Sequence, residues 1–194
     1  MNYPNKMKKS QSNNINYGNR GMSLESEINS SNEYYLLNDI AIIHKKPTPI
    51  TINRVNYKSR CDAVITEAHF KIPSTTDYNG IYKGKYIDFE AKETKSKTSF
   101  CLNNIHKHQI EHLKKISDHG GIGFVIIRFT ELNETYFIEI KHILSYIDSS
   151  KRKSIPLDYI KNFGYIIRDK YNPIIDYIEI IDKYILKEID YEKK

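Results

Sequence analysis

The chain has 194 residues, of which 39% are hydrophobic and 28% are charged, and its formal net charge is +6. These values are typical of one globular domain with a sizeable core. The sequence contains no run of about 18 apolar residues, so we expect no membrane span. The positive charge favours an anionic partner, with nucleic acid first. The abundance of Ile, Asn, Lys and Tyr weakens that argument, because it is typical of an AT-rich coding genome, which raises the lysine content for no functional reason. The opening "MNYPNKMKKSQ" lacks the apolar stretch of a secretory signal, and the two cysteines show no metal-binding spacing. We therefore expect a cytoplasmic protein.

The first elements are a polar arm, a helix and a strand. Residues 1–21 contain Asn, Ser, Lys and Gly with few apolar side chains, which predicts a disordered basic arm. Such an arm either contacts DNA, with Arg20 as a candidate residue, or is a solvated tail. The remainder, 22–194, is predicted to be a single domain. Ser23 is a typical helix cap, and apolar spacing predicts a helix over 22–37. "DIAIIHKK" then predicts a short buried strand.

The segment from about 47 to 73 is predicted to be an excursion from the core. "ITINRVNY" alternates like a strand, "DAVITEAHF" fits a strand or a helix, and prolines set the segment off. Basic and aromatic side chains are interleaved in and beside it, a composition that suits contact with phosphates and bases, although a plain edge hairpin is the alternative. The residues predicted to contact DNA here are Lys45, Lys46, Arg54, Lys58, Arg60 and Lys71.

The second half alternates strands and helices. "PSTTDYNGIYKGKYIDFEAKET" predicts a hairpin that turns between Gly80 and Gly84, and a helix is predicted over 103–118. "IGFVIIRF" predicts a strand covered on both faces, and "ETYFIEI" predicts another strand. "KHILSYID" and "IDYIEIIDKYILKEI" predict helices. This order predicts an α/β sandwich with a mixed sheet.

Charged residues alternate along the second strand of the hairpin. Ile87, Phe89 and Ala91 are predicted to face the core, and the intervening charged side chains share the other face. The hairpin brings Asp77 beside Glu90. Two carboxylates with a threonine oxygen form the hard-oxygen site that Mg²⁺ prefers, and a nearby lysine can stabilise charge on a phosphate. The ordinary alternative is a solvated strand face.

Asp77 followed by Glu90-Ala91-Lys92 resembles the PD-(D/E)XK nuclease signature. More closely, "GMSLE", "IHKKPTP", "PSTTDYNG", "YIDFEAKETK" and "HKHQIEH" resemble the RecU family of Holliday junction resolvases, from about Tyr17 to Tyr177. The resemblance implies a restriction endonuclease-like core whose mixed sheet is flanked by helices, with a stalk that projects into the junction. It also implies a homodimer that uses Mg²⁺, or Mn²⁺, to nick four-way junction DNA symmetrically and leave 5′-phosphate ends.

The resemblance assigns roles to individual residues. Asp77, Glu90 and Lys92 are implied to be catalytic, with Lys92 as the transition-state stabiliser. The residues implied to bind the metal are Thr75, Asp77, Glu90 and Gln109. Thr76 replaces the proline of the general signature, and this replacement belongs to the RecU block itself. Asp88 shares a strand face with Glu90 but lies outside the motif, so we interpret it as a supporting or solvated carboxylate.

Other functions remain open at this stage. The rival is a non-catalytic protein that binds branched DNA or modulates the RecA recombinase, and RecA and the branch-migration machinery are candidate partners of the nuclease as well. A restriction enzyme is disfavoured by the stalk-like excursion. His108 and His112 have the i, i+4 spacing of zinc helices, but acidic or cysteine partners at known spacings are lacking, so we do not predict a zinc site.

Overall fold

The computed structural model describes residues 23–57, 59, 62–70 and 75–187. The predicted arm at 1–21 lies outside the described residues. The strands are β1 (Ile42–Lys45), β2 (Ile50–Asn56), β3 (Val64–Phe70), β4 (Tyr78–Tyr82), β5 (Lys85–Thr94), β6 (Ser99–Cys101), β7 (Ile122–Phe129), β8 (Glu134–Glu139), β9 (Ser154–Pro156) and β10 (Tyr165–Ile167). The helices are α1 (Leu24–Leu37), a 3₁₀ turn (Leu102–Asn104), α2 (Lys107–Asp118), α3 (Ile140–Ser149), α4 (Leu157–Phe163), α5 (Tyr177–Ile180) and a π-helical continuation (Ile181–Ile185).

A six-stranded sheet in the order β1-β4-β5-β7-β8-β10 forms the centre of the fold. Its strands pair antiparallel except for β5 and β7, which run parallel and are connected through α2. One apolar cluster joins the sheet to α1 and α5, and a second joins the opposite face to α2, α3 and α4. The predicted α/β architecture, a mixed sheet flanked by helices, is therefore confirmed.

Stacked aromatic rings hold the central strands together on the α1 side of the sheet. Tyr78 stacks on Phe89 with ring centres 4.8 Å apart, and Phe89 stacks on Phe124 at 4.7 Å. Phe124 in turn stacks on Phe137 at 4.1 Å, so one row of rings crosses β4, β5, β7 and β8. Because all four side chains are fully buried, this row fixes the register of the strands that carry the predicted site.

The hairpin of β4 and β5 turns at Lys83 and Gly84. Both residues have positive φ, 47° and 73°, as a two-residue type I′ turn requires. Asn79 and Gly80, whose sequence also suggested a turn, instead lie within β4. Glycine is needed there for another reason, since a Cβ at Gly80 would lie 2.1 Å from the backbone oxygen of Ile42 on the neighbouring strand.

Strands β2 and β3 form a two-stranded antiparallel ribbon separate from the main sheet. The "DAVITEAHF" segment, which fitted either a strand or a helix, is therefore extended. Almost every side chain of the ribbon is exposed, including the apolar Ile50, Val64 and Phe70. The register shifts around Arg54, which indicates a bulge in β2. The ribbon thus contributes little to the core.

Several details differ from the sequence prediction. β1 was predicted to be buried, but it is the edge strand and only Ile43 is covered. Helix α1 has the expected Ser23 cap, whereas Leu36 of its predicted apolar stripe is exposed. Helix α2 begins at Lys107, after the 3₁₀ turn that the prediction had merged with it. Among the described residues, no helix is long and apolar enough to cross a membrane.

Candidate active site

The hairpin register places the two predicted carboxylates side by side. Tyr78 pairs with Phe89, so Asp77 directly precedes β4 at a position opposite Glu90. The backbone N–H of Asp77 donates to Glu90 Oε2 at 3.1 Å, and the N–H of Ala91 lies 3.4 Å from Asp77 Oδ2. The spatial pairing predicted from the hairpin is therefore present in the structure.

Glu90 is inaccessible to solvent and only partly satisfied by its neighbours. Its Oε1 atom is buried without a partner in hydrogen-bond geometry, although Lys92 Nζ approaches it to 2.5 Å as an ion pair. Burial raises the pKa of Glu90 from 4.5 to about 7; the contact with Lys92 lowers it, and the negative charge of Asp77 raises it further. A buried oxygen in this condition is a suitable ligand for a cation.

The other two predicted metal ligands lie on the segment before β4 and on α2. Thr75 Oγ1 accepts a hydrogen bond from Lys46 Nζ at 3.1 Å. Gln109 is buried in the first turn of α2, where its Oε1 accepts from the backbone N–H of His106 at 2.9 Å. Both oxygens therefore have protein partners in this structure, and each retains a second lone pair.

Asp88 is not solvated, which excludes one of the two interpretations made from the sequence. It is completely buried, and Lys46 Nζ lies 2.8 Å from its Oδ2 atom. The hydroxyl of Tyr86 donates to the same oxygen at 3.0 Å, and His112 Nε2 lies 3.1 Å from it. The hydroxyl of Thr76 donates to Oδ1. Asp88 is thus a supporting carboxylate that connects four elements of the chain.

Sequence reasoning did not find this network around Asp88. A partial signal was present, because alternation along β5 places Tyr86, Asp88 and Glu90 on one face. The partners of Asp88 come from elsewhere: Lys46 follows β1, and His112 lies on α2. Their approach depends on how the edge strand and the crossover helix pack, which local patterns do not specify.

The histidines of α2 are not arranged around a metal. His112 contacts Asp88, and the rings of His106 and His108 stack with centres 5.4 Å apart. In the part of the chain that the structure describes, no group of three or more His, Cys, Asp and Glu side chains is placed to hold a metal ion. The predicted metal set is of another kind, since it combines two carboxylates with threonine and glutamine oxygens.

The predicted DNA-binding residues have different surroundings. Lys45 is exposed and pairs with Glu25, whereas only 15% of the Lys46 side chain is accessible. Arg54 is exposed on the ribbon, where it is in register with Glu67. The remaining predicted contacts, which lie outside the described residues, are Arg20, Lys58, Arg60 and Lys71.

The arrangement suits hydrolysis of a charged ester. Glu90 on β5 and Asp77 just before β4 present carboxylate oxygens side by side, and Lys92 places an ammonium beside Glu90. Two carboxylates that approach each other in a partly buried site repel, and a bound divalent cation relieves that repulsion. The donor set therefore fits Mg²⁺ or Mn²⁺, which favour oxygen ligands.

Comparison with known proteins gives consistent matches over most of the chain. A family model described as Recombination protein U matches residues 19–183. The Holliday junction resolvase RecU of Geobacillus sp. (strain WCH70) is 56% identical over 171 residues, which cover 87% of this chain and 85% of that protein. The protein of the same name from Bacillus cytotoxicus is 57% identical over 169 residues, which cover 86% of this chain and 84% of the relative.

Proposed function

This chain belongs to the RecU family, and from that premise we propose that it is a Holliday junction resolvase, an endonuclease acting in homologous recombination and DNA repair. The observation that carries the proposal is the convergence of Asp77, Glu90 and Lys92 at one place on the sheet. A protein that only binds branched DNA has no need of two opposed carboxylates against a lysine. Metal-dependent hydrolysis of phosphodiesters uses such groups to hold the cation and to stabilise charge on the phosphate.

We propose that the site works with Mg²⁺, with Mn²⁺ as an alternative. The residues that would hold the ion are Thr75, Asp77, Glu90 and Gln109. When bound, the cation would supply an activated water and neutralise charge on the phosphate. The buried, poorly satisfied Oε1 of Glu90 and the adjacent Asp77 support this assignment.

The chain's own residues would orient the reaction. Glu90 lies on β5 and Asp77 directly precedes β4, so the β4–β5 register places the two residues opposite each other, and the Asp77 N–H donates to Glu90. Lys92 lies one pleat beyond Glu90 on the same strand, where its ammonium can stabilise negative charge on the scissile phosphate. Cleavage would leave 5′-phosphate and 3′-hydroxyl ends.

We propose that the β2–β3 ribbon is the stalk and that it enters the open centre of the junction. The ribbon is exposed, separate from the core sheet, and carries Arg54 beside apolar residues such as Ile52 and Val55. Exposed aromatic rings such as Phe70 can stack against unstacked bases, and cations can contact the crowded phosphates. Resolution requires two opposed cuts and one chain offers one site, so we propose a homodimer with two-fold symmetry. We also propose that it acts in the cytoplasm.

Incubation of the protein with a mobile four-way junction and with linear duplex, with and without Mg²⁺, tests the function. We expect paired nicks in the junction only when the cation is present, and little cutting of duplex. Asp77→Asn should abolish the nicks while leaving the junction bound, since Asp77 is assigned to the metal and not to phosphate. Binding of the junction by the wild type without cutting would support the non-catalytic alternative instead.

A deletion within the ribbon tests the stalk. If the ribbon fills the junction centre, its loss should reduce the ratio of junction to duplex affinity toward one at a fixed salt concentration. Loss of phosphate contacts alone would weaken both affinities in parallel and lower the salt dependence by about one unit of slope per contact. An unchanged affinity ratio would therefore contradict the stalk assignment. Because the ribbon contributes little to the core, we expect the circular dichroism spectrum to be retained.

A further inference from the structure

Lys46 was predicted from the sequence to contact DNA, but its surroundings indicate another role. Its ammonium donates to Thr76 Oγ1 at 2.5 Å and to Asp88 Oδ2 at 2.8 Å, and it reaches Thr75 Oγ1 at 3.1 Å. Its backbone N–H donates to the carbonyl of Asp77 at 2.8 Å. Lys46 therefore binds residues 75–77 through both its main chain and its side chain.

We propose that Lys46 is a positioning residue that holds residues 75–77 in the geometry needed to receive the metal. The proposal rests on the metal-site assignment made above. Residues 75–77 precede the paired residues of β4, and the backbone of Asp77 is held by Lys46 and by Glu90. Of these three residues, Thr75 and Asp77 are assigned to the metal, and Lys46 is bonded to both. A shift of this short segment would move two of the four proposed ligands together.

The donors of Lys46 are fully engaged within the protein. An ammonium group has three N–H donors, and three protein oxygens receive them. Only 15% of the side chain is accessible, compared with 45% for the neighbouring Lys45. A phosphate contact would require Lys46 to abandon one of these partners and leave the buried Asp88 short of a counter-charge, which is costly.

Asp88 connects Lys46 to the central sheet. It lies on β5 two residues from Glu90, and it is also contacted by Tyr86 of the same strand and His112 of α2. Thr76 donates its hydroxyl to the other carboxylate oxygen. These contacts fix residues 75–77 relative to β5, the strand that carries Glu90. One hydrogen-bond network therefore positions the proposed ligands Thr75 and Asp77 relative to Glu90.

The test uses Lys46→Met, which keeps most of the length of the unbranched side chain and removes the ammonium. Mn²⁺ affinity, measured by electron paramagnetic resonance without DNA, should fall by about tenfold or more, the usual effect of losing a residue that supports metal ligands. The Mg²⁺ concentration for half-maximal nicking should rise by a similar factor, with much of the maximal rate recovered at high Mg²⁺. Junction affinity without divalent cations should change little, and its salt dependence should be unchanged.

Lys83→Met is the matched control, because the Lys83 ammonium is exposed and pairs with Asp182, at 2.7 Å, away from the site. It should alter none of these quantities. If Lys46→Met folds poorly, the double variant Lys46→Met/Asp88→Asn removes the unpaired buried charge, and its Mn²⁺ affinity should still be lowered.

Four results would overturn the proposal. A fall in metal-free junction affinity, with a salt slope lower by about one, would make Lys46 a phosphate contact. A lower maximal rate with unchanged metal dependence would reduce its role to folding. Equal Mn²⁺ affinity in the wild type and Lys46→Met would reject the positioning role alone, whereas no Mn²⁺ binding by the wild type would reject the metal site as well.

Discussion

The surroundings of Asp88 and of Glu90 differ sharply, although the two carboxylates lie two residues apart on one face of β5 and are both fully buried. Asp88 is approached by an ammonium, two hydroxyls and an imidazole. Glu90 accepts one backbone hydrogen bond, has the Lys92 ammonium as the ion-pair partner of its other oxygen, and faces the charge of Asp77. Burial alone therefore does not distinguish these two carboxylates, whereas the number of donors around each of them does.

The difference in hydrogen-bond partners indicates a different role for each of the two carboxylates. A carboxylate surrounded by donors is stable as it stands, and its removal damages the fold. One that is underpaired is held in a costly state, which persists because it serves another purpose, such as receiving a cation. If Asp88 supports the site and Glu90 acts in it, as proposed above, paired substitutions at the two positions should give opposite results.

The largest contrast is expected in catalysis. Glu90→Gln should lower the nicking rate at saturating Mg²⁺ by about 10³-fold or more, because the amide loses the charge that binds the cation. Asp88→Asn should remain within about tenfold of the wild type at saturating Mg²⁺, since its effect is transmitted through Lys46 and residues 75–77. Single-turnover nicking of a four-way junction measures both.

Junction affinity without divalent cations serves as the control for this pair. It should be similar in the wild type and both variants, because neither side chain is accessible to DNA phosphates. Comparable loss of nicking in the two variants would show that donor number does not separate their roles.

A second contrast concerns the stability of the fold, where Asp88 should matter more. Asp88→Asn should lower the free energy of unfolding by about 3 kcal/mol, because Lys46 loses its counter-charge in a largely buried position. Urea denaturation in the absence of metal gives the value. Asp118→Asn provides a surface control, since Asp118 pairs with Lys114 on the exposed face of α2 and should change stability by less than about 0.5 kcal/mol. Equal effects at the two positions would contradict the structural role.

Local patterns in the sequence predicted much of this arrangement. The alternation of β5 and the hairpin signal placed Asp77 beside Glu90, and the long apolar run of β7 marked a strand covered on both faces. Both features depend on residues close together in the chain. The burial of Asp88 was missed because α2 and the end of β1 cover a face that would otherwise be wet.

The same limit explains the elements that were not predicted. The small ribbon of β6 and β9 pairs segments more than fifty residues apart, and β10 is a three-residue edge strand on β8. Such short strands carry too few residues to show a periodic pattern, and tertiary pairing defines them. Helix α4 was also not predicted, because its seven residues are too few to show a clear helical periodicity.

The smallest contrast, and the most specific, is the effect of Glu90→Gln on stability in metal-free buffer. This substitution should raise the free energy of unfolding by about 1 kcal/mol at about pH 8, because a buried charge is replaced by a neutral group of the same shape. The gain is smaller than the pKa shift of Glu90 alone suggests, since Lys92 loses its ion-pair partner. Thermal or urea denaturation of the wild type and the variant in a chelating buffer measures the difference.

The pH dependence of this gain identifies its cause. The pKa of Glu90 is raised in the folded protein, from 4.5 to about 7, so folding favours the protonated form. The stability contributed by that form is complete below pH 4.5 and is lost as the pH rises toward 7. The advantage of Glu90→Gln should therefore be absent in acid, appear across this interval and stay constant above it. Added Mg²⁺ should stabilise the wild type more than the variant, because the variant lacks one of the two carboxylates proposed to bind the cation. A pH-independent gain would instead point to a packing effect and would remove the argument that Glu90 is held in a costly state.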